Sequence, residues 1–121
     1  MDLCKLDGFD RIYCTDTFWD EYKALFGKGA SIPKQYLNKL YTNLTILDQR
    51  GSIKMPNFEA LKGAPGLYCI RHVSAINPRV IFFIDAGNDF IILLCSFVEK
   101  ASSDYTAAIT RAQSILKLLE A

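Results

Sequence analysis

Residues 79–100 read RVIFFIDAGNDFIILLCSFVEK, two apolar runs around a short polar centre. Val80 to Ile84 and Phe90 to Cys95 are apolar at every position. A strand with one solvated face alternates apolar and polar residues, so unbroken runs of this kind demand cover on both faces. The short Ala86–Asp89 loop makes the two strands antiparallel neighbours, and Gly87 or Asn88 is expected to take the positive φ that the turn needs. A hairpin buried on both sides leaves its ends, where Arg79 and Lys100 stand, free for chemistry.

The remaining elements follow from periodicity and turn residues. Leu67 to Val73 reads as a strand joined to the hairpin through an Asn77-Pro78 turn, which makes three antiparallel neighbours. Upstream, Arg11 to Cys14 form a short strand, and Thr15, Asp16 or Thr17 caps a helix that carries Phe18, Tyr22, Leu25 and Phe26 on one face. The Gly27-Lys28-Gly29 break ends it. Ser31, with Pro33 in the first turn, opens a second helix whose Leu37, Leu40, Leu44 and Leu47 form a core stripe ended by Gly51. Ser52 to Gly66 is an irregular connection with a turn of helix near Glu59-Ala60-Leu61. Ser102 or Ser103 caps a last helix, in which Tyr105, Ile109, Ala112, Leu116 and Leu119 recur at helical spacing. The expected order is β-α-α-β-β-β-α, an α+β arrangement with helices packed on a small, mainly antiparallel sheet.

At 121 residues with half of them hydrophobic, the chain suits a single domain with one sizeable core. Its apolar runs are far below the roughly 20 residues of a membrane span. MDLCKLDGFD lacks the basic and apolar regions of a secretory leader, so a cytoplasmic location with no membrane partner is the expectation. The net charge of +1 makes no case for nucleic acid by itself. Charge is uneven, however: residues 1–22 are acidic, whereas residues 23–62 carry seven Lys and Arg against Asp48 and Glu59.

Cys4, Cys14, Cys69 and Cys95 form no C-x-x-C pair, and His72 is the single histidine, so no zinc spacing is present. The cysteines read as reduced thiols acting as small hydrophobes, with a Cys69–Cys95 bridge as the alternative. No Walker or Rossmann glycine pattern appears. The remaining chemistry is cationic. Arg71 and Arg79 lie near the ends of adjacent antiparallel strands, Lys100 follows the third strand and Tyr105 opens the last helix, so these side chains can gather at one edge of the sheet. Guanidinium groups suit phosphate because they stay charged and present a planar fork of donors.

LKGAPGLYCIR at 61–71, RVIFFIDAGNDFIILLCSFVEK at 79–100 and the helix beginning near Asp104 together resemble the RelE/HigB superfamily of toxins from bacterial type II toxin–antitoxin systems, in its HigB-like branch. The matching positions are Leu61, Gly63, Gly66, Leu67, Tyr68 and Arg71, then Arg79, Val80, Phe82, Phe83, Gly87, Ile91, Leu93, Leu94, Phe97 and Lys100. The resemblance covers about half the chain. The sequence departs from the pattern where Glu99 stands for the first lysine of a K-K pair, Ala101 for threonine, Ser103 for a further lysine, Tyr105 for proline and Cys69 for glutamate.

The resemblance implies a small RelE-like fold and an mRNA interferase that cuts ribosome-bound messages without a metal or cofactor. It also implies silencing by a cognate antitoxin, expected to be a helix-turn-helix protein. Arg79, Lys100 and Arg71 are the catalytic candidates: Arg79 for transition-state charge, Arg71 for substrate phosphate or structural support, Lys100 for phosphate or proton transfer. Tyr105, His72 and Glu99 are the RNA-binding candidates, with Glu99 also open as a replacement base. A toxin-fold module that binds antitoxin or RNA without cleaving is the alternative.

Overall fold

The computed structural model describes residues 2–120. It is an α+β chain with elements β1 (Leu3–Lys5), β2 (Ile12–Thr15), α1 (Phe18–Ala24), α2 (Lys34–Asp48), β3 (Phe58–Ala60), β4 (Leu67–Arg71), β5 (Pro78–Asp85), β6 (Phe90–Val98) and α3 (Ser102–Glu120). The six strands form one open sheet in the order β1-β2-β6-β5-β4-β3. β2 runs parallel to β6, and every other neighbour is antiparallel.

Both faces of the hairpin are covered, which accounts for its unbroken apolar runs. On one face Val80, Phe82, Ile91 and Leu93 pack with Phe18 and Tyr22 of α1 and with Leu40, Leu44 and Leu47 of α2. On the other, Ile81, Ile92, Leu94 and Cys95 pack with Ala108 and Ala112 of α3. The small alanines let α3 lie close to the strands. Where Ile81 opposes Cys95 and Phe82 opposes Leu93, Leu94 has no partner. This bulge puts Leu94 and Cys95 on the same α3 face, which strict alternation along a strand forbids.

Two short strands at the sheet's edges were not expected. β1 is exposed along its length and pairs with β2. β3 replaces the helical turn expected near Glu59-Ala60-Leu61: Phe58 opposes Ile70 and enters the core at 1% exposure, and burying that ring outweighs the local helical preference. Helix starts also differ from expectation. Pro33 is the N-cap of α2, with an extended ψ of 139°, and its carbonyl accepts the N–H groups of Tyr36 and Leu37; Ser31 lies outside the helix. Thr17 precedes α1 without a side-chain cap bond. At α3 the cap comes from Asp104, whose Oδ2 accepts the backbone N–H groups of Lys100 at 2.8 Å and Ala101 at 2.9 Å, rather than from Ser102 or Ser103. These bonds hold the Asp104 carboxyl below its usual range.

In the hairpin turn the positive φ falls on Asp89 (58°), not on Gly87 or Asn88. Arg11 explains the choice: its Nε donates to the Asp89 carbonyl at 3.0 Å and its Nη2 to Asp89 Oδ1 at 3.1 Å, while Nη1 reaches the Leu47 carbonyl at 2.7 Å. Arg50 also pairs with Asp89. One guanidinium thus ties β2, the end of α2 and the hairpin turn together.

All four cysteines are free; Cys14, Cys69 and Cys95 are buried, and Cys4 is exposed. The alternative Cys69–Cys95 bridge is absent because the two lie on β4 and β6, each opposite Ile81 of the intervening β5. Among the described residues no helix is long and apolar enough to cross a membrane.

Candidate functional site

Arg71 and Arg79 are direct register partners on β4 and β5. Leu67 and Cys69 belong to the α3-side cluster, and alternation along the strand turns Arg71 the same way. Ile81 likewise places Arg79 on that face. Two like charges at opposed positions of a strand pair repel each other, so this placement needs an anion nearby.

Glu99 supplies one. It follows β6 directly, and its Oε1 accepts Arg79 Nε at 2.8 Å. Tyr105, in the first turn of α3, donates its hydroxyl to the same Oε1 at 3.0 Å and accepts from Arg79 Nε at 3.2 Å. The Tyr105 ring stands edge-on to Phe97, the register partner of Arg79. Sheet register and the return of α3 thus bring Arg71, Arg79, Glu99 and Tyr105 together.

The expectation that Arg79 is a free hairpin end is corrected. Its side chain is 3% exposed, and its Nη1 donates to the carbonyls of His72 at 3.3 Å and Pro78 at 3.1 Å. Phe97 and Tyr105 close over it, which is why a residue at a strand end is nonetheless buried. These contacts engage Nε and Nη1 but not Nη2. Arg71 is more open: its Nη1 donates to the Pro56 carbonyl at 3.1 Å and approaches Met55 Sδ at 3.6 Å, while its buried Nε has no partner.

Lys100 is exposed on the turn into α3; its backbone N–H belongs to the Asp104 cap and its side chain makes no hydrogen bond within the arginine cluster. With Glu99, Ile76 and Val98 it lines a hollow of about 360 Å³. A second groove of about 320 Å³ runs past Tyr105 between Glu59, Lys62, Ser102 and Ile109. The cluster therefore sits between two surface grooves, one at Glu99 and one at Tyr105.

His72 is not brought into the cluster. Its ring lies 4.6 Å from that of Tyr36 on α2, across the sheet from α3. Burial, then Lys39 and Arg79, hold its pKa below the ordinary 6.5. Its contribution to stability is therefore complete above about pH 6.5. It is lost as pH falls through the folded value, because the unfolded chain takes up a proton first. Melting temperature is expected to decline as pH falls below about 6.5, and His72→Gln should flatten that decline; an unchanged slope would contradict the assignment.

Proton chemistry in the cluster is restricted. Burial raises Tyr105 above its ordinary value of 10, so at neutral pH it is a hydroxyl donor rather than a base. Burial also pushes the Cys69 thiol up to about 12 despite the nearby Arg79, which leaves it un-ionised and a poor nucleophile. Among the described residues no group of three or more His, Cys, Asp or Glu side chains is arranged to hold a metal ion.

A further polar contact was not foreseen. Glu21 Oε1 accepts the Ser96 N–H at 2.8 Å, and Arg111 Nη2 reaches Glu21 Oε1 at 2.6 Å and the Ser96 carbonyl at 2.9 Å. These side chains cap the β6 edge beyond the point where β2 stops pairing. No protein-family model matches the sequence, and no curated protein matches it significantly.

Proposed function

We propose that the chain is a toxin of the RelE/HigB type that cleaves ribosome-bound mRNA and is silenced by a cognate antitoxin. The observation that carries this reading is the opposed pair Arg71 and Arg79, which share the α3 face with Tyr105 and leave Arg71 Nε buried without a partner. An unpaired guanidinium donor beside a second arginine suits a phosphate, whose several oxygens can satisfy both. The RNA 2′-hydroxyl is an internal nucleophile, so cleavage needs charge stabilisation and proton transfer more than an added reactant. Arg71 and the free Nη2 of Arg79 are the groups that stabilise charge on the equatorial phosphate oxygens. Water takes the proton of the attacking 2′-hydroxyl, while Tyr105, a protonated hydroxyl beside Arg79, gives its proton to the departing 5′-oxygen and regains one from water. Lys100 holds a flanking phosphate from the exposed turn.

The Arg79–Glu99 ion pair favours a second reading, a toxin-fold module that binds antitoxin or RNA without cutting, because Glu99 already neutralises the most buried cation. Tightly controlled expression of the wild-type chain and of an Arg71→Ala/Lys100→Ala variant separates the two. Growth arrest by the wild type with new 5′ ends on ribosome-bound mRNA, both abolished in the equally soluble variant, supports the enzyme. Normal growth with abundant folded wild-type protein contradicts it.

A further inference from the structure

Glu99 is held in place by two bonds to a single oxygen, in a setting that would survive its departure. Its side chain is 30% exposed, and Arg79 and Tyr105 both bond Oε1. The start of α3 does not depend on it, since Asp104 caps Lys100 and Ala101. Arg79 does not depend on it either, because the His72 and Pro78 carbonyls fix its Nη1. If Glu99 rotates to solvent, Arg79 Nε and the Tyr105 hydroxyl are left facing the place its carboxylate held. The buried, unpartnered Nε of Arg71 lies on the same face.

We propose that Glu99 is an internal anion occupying the phosphate position at Arg79, so that RNA binds by displacing it. This rests on the reading of the cluster as an RNA site. A single carboxylate oxygen engages Arg79 and Tyr105 but leaves Arg71 Nε unpartnered, whereas a tetrahedral phosphate offers oxygens to all three, and that difference drives the exchange. The latch holds free protein in a low-affinity state, because part of the binding free energy is spent on separating the Arg79–Glu99 pair.

Fluorescence anisotropy of the full chain with a labelled single-stranded RNA oligonucleotide, 2′-methoxy at every position to block cleavage, tests this. Wild type, Glu99→Gln, Glu99→Ala, Arg71→Ala and Asp20→Asn are compared, each checked for a cooperative melt. Asp20 is exposed on α1 and controls for loss of one negative charge. Both Glu99 variants are expected to bind about tenfold more tightly than wild type, Arg71→Ala about tenfold more weakly, and Asp20→Asn much as wild type. Equal or weaker binding by both Glu99 variants, with Arg71→Ala still impaired, overturns the latch and leaves the RNA site standing. So does equal tightening by Asp20→Asn, which would mark a net-charge effect. Absence of RNA binding in every protein overturns the RNA site and the latch together.

Discussion

Phe82→Ala is expected to lower the free energy of unfolding by about 3–5 kcal/mol, a large part of the roughly 5–15 kcal/mol that holds a domain folded. The ring is fully buried, stacked on Tyr68 at 5.7 Å and edge-on to Phe58 at 6.3 Å. It lies between Tyr68 and Leu93, its register partners on β4 and β6. Removing it opens a cavity at the centre of the sheet, under the α1–α2 layer, where strands paired on both sides have little freedom to collapse. Urea denaturation should show a lower midpoint with an unchanged m-value. A loss below about 1 kcal/mol would mean that the two-layer packing around β5 is not as described.

Arg79→Ala is expected to cost about 2–3 kcal/mol, less than the 3–5 kcal/mol of breaking a fully buried ion pair, because the abandoned Glu99 can turn to water. The loss comes from elsewhere. The His72 and Pro78 carbonyls lose the donor on Nη1, and Tyr105 loses the group it accepts from. Arg79→Lys keeps the charge but cannot reproduce donors that leave Nε and Nη1 in different directions, so it should recover only part of the stability. A double-mutant cycle with Glu99→Gln measures the pair itself, with coupling of about 1 kcal/mol expected. Full stability in Arg79→Ala would contradict the burial assigned to this side chain.

Substitutions at Arg79 and at Glu99 have different expected consequences. Removing Arg79 damages fold and site together, whereas removing Glu99 leaves Arg79 anchored by two carbonyls and exposes its charge. Opposite effects on RNA affinity from the two ends of one ion pair are therefore the expected signature of the proposed RNA site. A merely structural salt bridge would weaken from either end.

The hairpin's two-faced burial was legible in the sequence because apolar residues at every position of Val80 to Ile84, bounded by turn residues, call for cover on both faces of a strand. The shared face of Arg71 and Arg79 was within reach too, since short loops fix the pairing of β4 and β5. What escaped depended on distant partners. Glu99 and Tyr105 close on Arg79 from 20 and 26 residues along the chain, so nothing local to Arg79 announces its burial. Glu21 and Arg111 meet across 90 residues. β1 and β3 have three residues each, too few for any periodicity, and they exist because β2 and β4 offer free edges to pair with. His72 follows Arg71 directly, but strand alternation sends it to the opposite layer against Tyr36.

End-group analysis of mRNA recovered from intact ribosomes incubated with the purified protein tests directly whether the chain cuts translated messages. Attack by the RNA's own 2′-hydroxyl leaves a 5′-hydroxyl on the downstream fragment and a cyclic or open phosphate on the upstream one. Those termini are expected with the wild-type chain, and their loss with Arg71→Ala and with Tyr105→Phe. Intact message, or fragments that carry a 5′-phosphate, would contradict it.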